Sequence, residues 1–545
     1  MKRREFISKT TKGLGAACLL PRLNAWGGVS GLVGRRPNVL LIVIEDLNMQ
    51  LGCYGNPYMV TPNIDRLAKE GVRFERAYVQ QAVCAASRAS LFTSLYPATT
   101  GVDYPYSYYF VEEIFPKYGT LARQFYNKGY YTRDFGKIHH GLEENDLSAP
   151  HYEPPHRPYL LADNINLRKA KGNAAAPPYE MADLPDCEYP DGQTAETVIA
   201  GLRVAAQKSA PFCFSVGFLK PHIPFNSPKK YWDLYNRQNI PLVENKNRPK
   251  NFPAIALDRY NLQQYTWEHT DPERLFSDDY ARLIRQAYFA CVSFIDAQIG
   301  RILTELESLK LRDDTIIIFI SDHGFHLGEQ NHWGKTTLYE ASLHVPLIVS
   351  APGMSQGAVS NGMVESVDIF PTLLDLAGIA IPDYAEGVSF KPLLTEPSRK
   401  WKKAVFSRQS RSMIGEIYGF SMRNQQYRYT EWQNLETQTV LATELYDLVN
   451  DPLETNNIAG NASADLIRKL SRQLNVNRKW ALPDGIQNYA HNPPAPPAYA
   501  WGPEGDSRRA VWHKKFGGKE GNDWRILTEQ RLKIEQEMKN KGKIK

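Results

Sequence analysis

Residues able to do chemistry sit where apolar runs of this chain end. The run Asn38–Ile44 (NVLLIVI) stops at Glu45-Asp46, and Thr315–Ile320 (TIIIFI) stops at Ser321-Asp322-His323-Gly324. A third run, Phe212–Phe218, leads into Lys220-Pro221-His222. Carboxylates and imidazoles hold metal ions and move protons, so three strand ends each present metal-competent groups. A fourth segment, Gln80–Pro97 (QQAVCAASRASLFTSLYP), sets Cys84 before a helix expected to start near Ser87 and stop before Pro97. Arg88 lies four residues on. A thiol at a helix N-terminus beside an arginine sits in a positive field that suits a nucleophile or an anionic ligand.

These groups need a scaffold. Continuous rather than alternating apolarity marks strands buried on both faces, as in a parallel sheet under helices. Thr61-Pro62 opens a helix that Gly71 closes. Asp278–Leu309 reads as a long amphipathic helix, with Leu283, Ala287, Ala290, Phe294 and Ile302 at helical spacing. The alternation predicts an α/β fold, a large doubly wound mixed or parallel sheet sandwiched by helices, with ligands beyond the carboxyl ends of its strands. Past about residue 400, short strand-like pieces at 415–422, 427–432 and 444–447 precede a helix over 464–480. They predict a smaller C-terminal α+β subdomain. The expected plan is an export signal at 1–26, a catalytic domain at 36–400, the subdomain at 401–484, and a Pro-rich, then charged extension at 485–545.

Composition narrows the function classes. The 545 residues, 42% hydrophobic and 23% charged, exclude a disordered, collagen-like or polytopic membrane chain. The net charge of +6 is concentrated at the ends, since residues 27–505 carry 47 basic against 52 acidic side chains. Whole-chain basicity is therefore no argument for nucleic-acid binding. The start, Lys2-Arg3-Arg4-Glu5-Phe6-Ile7 with Lys9 and an apolar stretch Gly13–Leu20, resembles a twin-arginine export signal cleaved near Ala25. The mature protein is thus expected in the periplasm or outside the cell. Gly15, where a lipoprotein signal usually has Leu, argues against anchoring through Cys18. Beyond this, no segment reaches the roughly 18 uninterrupted apolar residues of a membrane span. Six scattered cysteines form neither a disulfide framework nor a C-x-x-C zinc pair, although one disulfide among Cys53, Cys187, Cys213 and Cys291 is compatible with the pattern.

The run Cys84-Ala85-Ala86-Ser87-Arg88 resembles the signature C-x-P-S-R of the type I, formylglycine-dependent sulfatase family. The resemblance extends from about Asn38 to Asn457. It includes LGCYG, TPNIDRLAKEG, KPHIPF, SDHG followed by LGE and W-x-K, LHVPLI, VESVDIFPTLLDLAG, YRYTEW, and ELYDL with DPLE. It implies an alkaline-phosphatase-like fold and a Cys84 oxidised by a formylglycine-generating maturation enzyme. The resulting aldehyde hydrates to a diol: one hydroxyl attacks sulfur, and deprotonating the other expels sulfate and restores the aldehyde. Ala86 stands where the signature has Pro, and Ser94 where the following helix commonly has Gly.

The resemblance also implies one Ca²⁺ held by Glu45, Asp46, Asp322 and His323, with the modified Cys84 completing the site. Calcium prefers hard oxygen ligands, and clustered carboxylates repel without a cation. Glu45 replaces the usual Asp, and a nitrogen donor makes His323 a weak or outer ligand. Arg88 would buttress position 84, and Lys137 and Lys335 would grip sulfate oxygens. His222 would protonate the leaving alcohol. The base is His139 or His140: spacing to the closing Gly141 favours His139, the preferred reading, whereas a position three past Lys137 favours His140. Phe325, His326, Trp333, Arg408, Arg411, Arg423, Tyr427, Arg428 and Trp432 are sugar-pocket candidates, since aromatic planes stack on sugars and Arg forks bind carboxylates. The implied substrate is a sulfated acidic polysaccharide or its oligosaccharides, with the 2-position of a uronic acid favoured. The alternatives are a phosphate ester hydrolase of the same superfamily and an unmatured sulfated-glycan binder.

Overall fold

The computed structural model describes residues 36–102, 117–140, 147–155, 157–171, 176–257, 262, 276–411, 417–476 and 481–483. The expected export signal and the extension at 485–545 lie outside the described residues. In chain order, the first ten strands are β1 (Asn38–Ile44), β2 (Val72–Tyr78), β3 (Tyr131–Gly136), β4 (Tyr179–Ala182), β5 (Phe212–Phe218), β6 (Phe225–Pro228), β7 (Thr315–Ser321), β8 (His344–Ser350), β9 (Ala358–Ser360) and β10 (Val364–Glu365). Eight of them form one sheet in the order β10-β2-β8-β7-β1-β5-β3, with β9 also on β2, while β4 and β6 pair separately.

The apolar runs are continuous because both sheet faces are covered. From β1, Leu40, Ile42 and Ile44 enter one core with residues of helices Pro190–Ala205 and Asp278–Ser308. The alternate residues Val39, Leu41 and Val43 enter a second core with Leu91 and Phe92 of helix Cys84–Thr93 and Phe370 of helix Ile369–Leu376. Strand β7 divides likewise, Ile317 and Phe319 to one side and Ile316, Ile318 and Ile320 to the other. Each such buried side chain contributes about 1.5–3 kcal/mol relative to exposure.

Strands β7, β1, β5 and β3 are parallel neighbours, with Ile44 paired to both Ser321 and Phe218, and Gly136 to Gly217. The register aligns their carboxyl ends along one edge. Gly136 is required there: its φ is +68°, and a Cβ would lie 2.1 Å from the Gly217 carbonyl oxygen. Pairing of β8 with β7 and with β2 is antiparallel, so the sheet is mixed.

The C-terminal sheet is antiparallel: β11 (Ala404–Ser410), β12 (Ile417–Asn424), β13 (Tyr427–Asn434) and β14 (Thr439–Asp447). Helix Ala464–Asn475 lays Leu470 and Leu474 against Met422, Tyr429 and Leu445. The helix stops short of the expected 480 because Val476 turns extended (φ −89°, ψ 169°). Strand β11 has no counterpart in the sequence reading; its half-polar AVFSRQS is fixed by bonds to the body, from Phe406 N to Glu365 and from Arg408 N to the Gln80 carbonyl. Both sheets belong to one compact unit that starts at Arg36. Cys53, Cys187, Cys213 and Cys291 are free thiols, so the compatible disulfide does not form. No described helix is long and apolar enough to cross a membrane.

A buried ion cluster ties the chain just before β11 to the body. Lys402 Nζ donates to Glu365 at 2.7 Å and to both oxygens of Asp368 at 2.8 and 2.7 Å, all three residues being buried. Burial opposes the Lys402 charge, but the two carboxylates outweigh it and lift Lys402 above the ordinary lysine range. Replacing Lys402 by Met leaves two buried carboxylates uncompensated, which costs about 3–5 kcal/mol. The K402M variant is expected to unfold at a distinctly lower denaturant concentration than the parent; an unchanged midpoint would show that the cluster adds nothing.

Candidate active site

Cys84 is the first residue of its helix rather than a residue three positions before it. Val83 is held extended (φ −141°, ψ 124°), so the turn into helix falls on Cys84, and Ser94 ends it in the left-handed region (φ 61°). All ten helical residues are buried. Ser94 occupies its glycine-like position with its hydroxyl donating to the Val367 carbonyl at 2.8 Å and accepting from Gly387 N at 3.0 Å.

Around Cys84 the strand ends supply opposite charges. Beyond β1, Asp46 adopts φ 60°, and its N–H donates to Asp322 Oδ1 at 3.1 Å. Tyr288, from the long helix, donates its hydroxyl to the Asp46 carbonyl at 2.7 Å. Arg88 reaches from the second turn of the Cys84 helix to Asp322 Oδ2 at 2.8 Å, and its guanidinium also donates to the carbonyls of Lys137 and Ile138. Lys137, one residue past β3, pairs with Glu45. Lys335 donates to Asp46 Oδ1 at 2.7 Å and to Cys84 Sγ at 3.0 Å. His222, after β5, lies with Nε2 3.7 Å from Glu45 Oε1.

Burial disfavours a Cys84 thiolate, yet Lys335 and Lys137 outweigh it, with a hydrogen bond to His140 adding, and hold the thiol well below its ordinary range. Burial likewise opposes the Glu45 charge, and Lys137, His222 and Lys335 overcome it, so Glu45 is held well below the carboxylate range. For Asp46 the balance is reversed: burial pushes it up, against Lys335 and His323. Burial also pushes His222 down, with the two lysines, against Glu45.

The donor set fits a divalent cation. Donor atoms of Asp46, Cys84 and His323 lie within 4.8 Å of one another, as do those of Glu45, Cys84 and His222. Glu45 Oε2 and Asp46 Oδ2 are buried without a hydrogen-bond partner, a costly state that a cation bound by oxygen would relieve. His323 donates from Nδ1 to the Gly324 carbonyl at 3.0 Å, which leaves Nε2 buried without a hydrogen-bond partner, 3.6 Å from Asp322 Oδ1.

The two adjacent histidines separate. His139 Nε2 meets Asp134 Oδ2 at 3.1 Å, with its ring edge-on to Phe92. His140, at φ 57°, is the one that hydrogen-bonds the Cys84 side chain. The geometry thus favours His140 over His139 as the group facing position 84.

The expected sugar-pocket residues mostly serve the fold. Arg428 pairs with Glu454 and Glu340, and Arg423 with Glu340. Arg411 donates to the carbonyls of Ile255, Ala256 and Thr336 and lies over the Trp432 ring. Arg408 donates to the Pro97 carbonyl and covers Tyr418. Trp432, Phe325, His326 and Trp333 are buried, Trp432 bonded to Glu444; Tyr427 is half-buried. Asp134, Asp191 and Tyr288 support the site but escape sequence reasoning, because each is a single polar residue within a strand or helix pattern.

A side chain set between two lysines and two imidazoles, beside buried carboxylates able to hold a cation, is an arrangement that could receive a tetrahedral oxyanion. The family model described as Sulfatase matches residues 37–379, and that described as N-sulphoglucosamine sulphohydrolase, C-terminal, matches 328–479. Iduronate 2-sulfatase of Mus musculus is 32% identical over 503 residues, covering 77% of this chain and 90% of the mouse protein. An arylsulfatase of Clostridium perfringens is 28% identical, covering 83% and 96%. Among solved structures, the phosphonate monoester hydrolase of Agrobacterium radiobacter superposes with a TM-score of 0.67 at 25% identity, over 81% of this chain and 95% of that one. Fold, cleft and likeness converge: this chain belongs to the sulfatase family and is a sulfuric ester hydrolase with an alkaline-phosphatase-like α/β fold.

Proposed function

We propose that the protein is exported and removes sulfate monoesters from an acidic polysaccharide or its oligosaccharides, with a uronate 2-sulfate as the favoured unit. The likeness to a protein named iduronate 2-sulfatase supports that unit. A relative named ulvan-active sulfatase, from Formosa agariphila and 28% identical, supports a polysaccharide source. The residues proposed to act are Cys84 as the site of formylglycine, with Glu45, Asp46, Asp322 and His323 holding Ca²⁺. The observation that carries the reading is Cys84 Sγ in reach of Lys335 at 3.0 Å and bonded to His140, beside buried, unpartnered carboxylate oxygens.

A hydrated aldehyde at position 84 supplies two hydroxyls, one to attack sulfur and one whose deprotonation releases sulfate. Glu45, Asp46, Asp322 and His323 would hold Ca²⁺, which would offset the carboxylate charge and supply Lewis-acid polarisation of the sulfate. Lys137 and Lys335 pair with the remaining sulfate oxygens in a largely buried cleft, where such contacts count most. Arg88 fixes Asp322 and so orients a carboxylate ligand. His140 takes the proton from the second hydroxyl, and Asp134 holds His139 behind it. His222 donates from its Nδ1 to the Ile223 carbonyl at 2.6 Å, so it is the doubly protonated ring, with Glu45 3.7 Å from Nε2 to favour its charge, that carries on Nε2 the proton for the leaving oxygen. The wholly buried helix at Cys84 supports maturation on the unfolded chain, by a formylglycine-generating enzyme in the cytoplasm before export.

Intact-peptide mass of the exported protein is expected to read about 18 Da lighter than Cys at position 84. Cys84→Ala should lower kcat for sulfate release by at least about a thousandfold. An unmodified thiol in fully active protein would refute the nucleophile. Chelation should reduce both sulfate release and melting temperature, and Ca²⁺ should restore both, by about 2.7 kcal/mol of stability at a hundredfold excess over Kd. A melting curve indifferent to chelator and Ca²⁺ would refute the metal pocket. On a panel of defined sulfated oligosaccharides beside aryl sulfate, aryl phosphate and phosphonate esters, the uronate 2-sulfates should give the highest kcat/KM; preference for the phosphorus esters would move the protein to the alternative reading.

A further inference from the structure

Lys220 stands two residues before His222, and its place beside the cleft invites a role as another ligand for sulfate or sugar. Its surroundings argue otherwise. The side chain is 7% exposed, and Nζ donates to the carbonyls of His222 at 2.8 Å and Pro224 at 2.7 Å. Two of its three protons are thus committed to the backbone on either side of the Ile223 turn. The main chain at Lys220 is itself anchored, since the buried Asp191 carboxylate accepts from Leu219 N at 2.7 Å and Lys220 N at 3.0 Å. Asp191 lies in the first turn of helix Pro190–Ala205, packed under the sheet. With the carbonyls of His222 and Ile223 both occupied, by Lys220 and by the ring's own Nδ1–H, the imidazole keeps one direction, with Nε2 on the Glu45 side at 3.7 Å.

We propose that Lys220, anchored through Asp191, is a positioning residue that aims His222 at the departing alcohol oxygen. Charge-assisted bonds to carbonyls are stronger than neutral ones, and a buried ammonium is costly to keep where an apolar side chain would fill the same space. A displacement of 1 Å at a reacting group costs about a hundredfold in rate, so the tether has a kinetic consequence. The proposal rests on the reading of His222 as the leaving-group acid, and the test separates the two.

Acid assistance contributes roughly 10²–10⁴-fold, and it matters most when the leaving oxygen is basic. For Lys220→Met, kcat is expected to fall less than about tenfold with 4-nitrophenyl sulfate and more than about a hundredfold with phenyl sulfate. His222→Ala should show the same split, and the K220M/H222A double variant should be no slower than H222A, as for groups acting as one unit. Asp191→Asn keeps one acceptor and should give a smaller split in the same direction; it carries the comparison if K220M does not fold. A K220M or D191N protein that loses the same factor on both esters, or changes only KM, overturns the proposal while a split H222A leaves the acid reading standing. If H222A is itself indifferent to the leaving group, both fail together.

Discussion

Like charge gathered in a dry place is the constraint around which this molecule is built. The register of four parallel strands brings Glu45, Asp46 and Asp322 to one sheet edge, each wholly buried. Carboxylates so placed repel and lack water. Every neighbouring feature answers that problem with positive charge: Arg88 from the helix, Lys137 from the end of β3, and Lys335 from the loop before β8. The same positive groups act on Cys84, so the arrangement that makes the carboxylates tolerable also holds its thiol well below the ordinary range. Stability and chemistry here share one set of contacts.

The loop bearing Lys335 is held from two sides. His332 lies against the Lys335 carbonyl at 3.1 Å and packs its ring on His326, which in turn meets Thr337 at 2.8 Å. From the C-terminal sheet, Arg411 takes the Thr336 carbonyl, Tyr339 bonds Glu444, and Arg428 pairs with Glu340. Arg411, Arg428 and His326, which looked suited to sugar, therefore brace the segment that follows Lys335. Arg and aromatic side chains do both jobs with the same atoms, so type alone cannot separate them.

What could be read from the sequence follows from burial. Strands β1, β5 and β7 are covered on both faces, so their apolar runs are unbroken and the polar residues that follow stand out. Strand β3 (YTRDFG) hides because Arg133 and Asp134 interrupt the run, and with it went the partner of His139. Helix Cys84–Thr93 begins earlier than its polar spacing suggests because the preceding backbone is extended, a matter of dihedral angles rather than composition. The choice between His139 and His140 turns on the left-handed φ of His140, which swings adjacent rings to opposite neighbours. Spacing counts residues and carries no such angle.

The dependence of the Lys335 loop on the second sheet restricts how the family member can diverge. Arg411, just after β11, Arg428 of β13 and Glu444 of β14 are bonded to Thr336, Glu340 and Tyr339. The far edge is different: Val440 and Leu441 on β14 are exposed and touch nothing catalytic. A change of side chain at that outer margin alters surface alone, whereas one at Arg411, Arg428 or Glu444 removes a bond to the segment that carries Lys335.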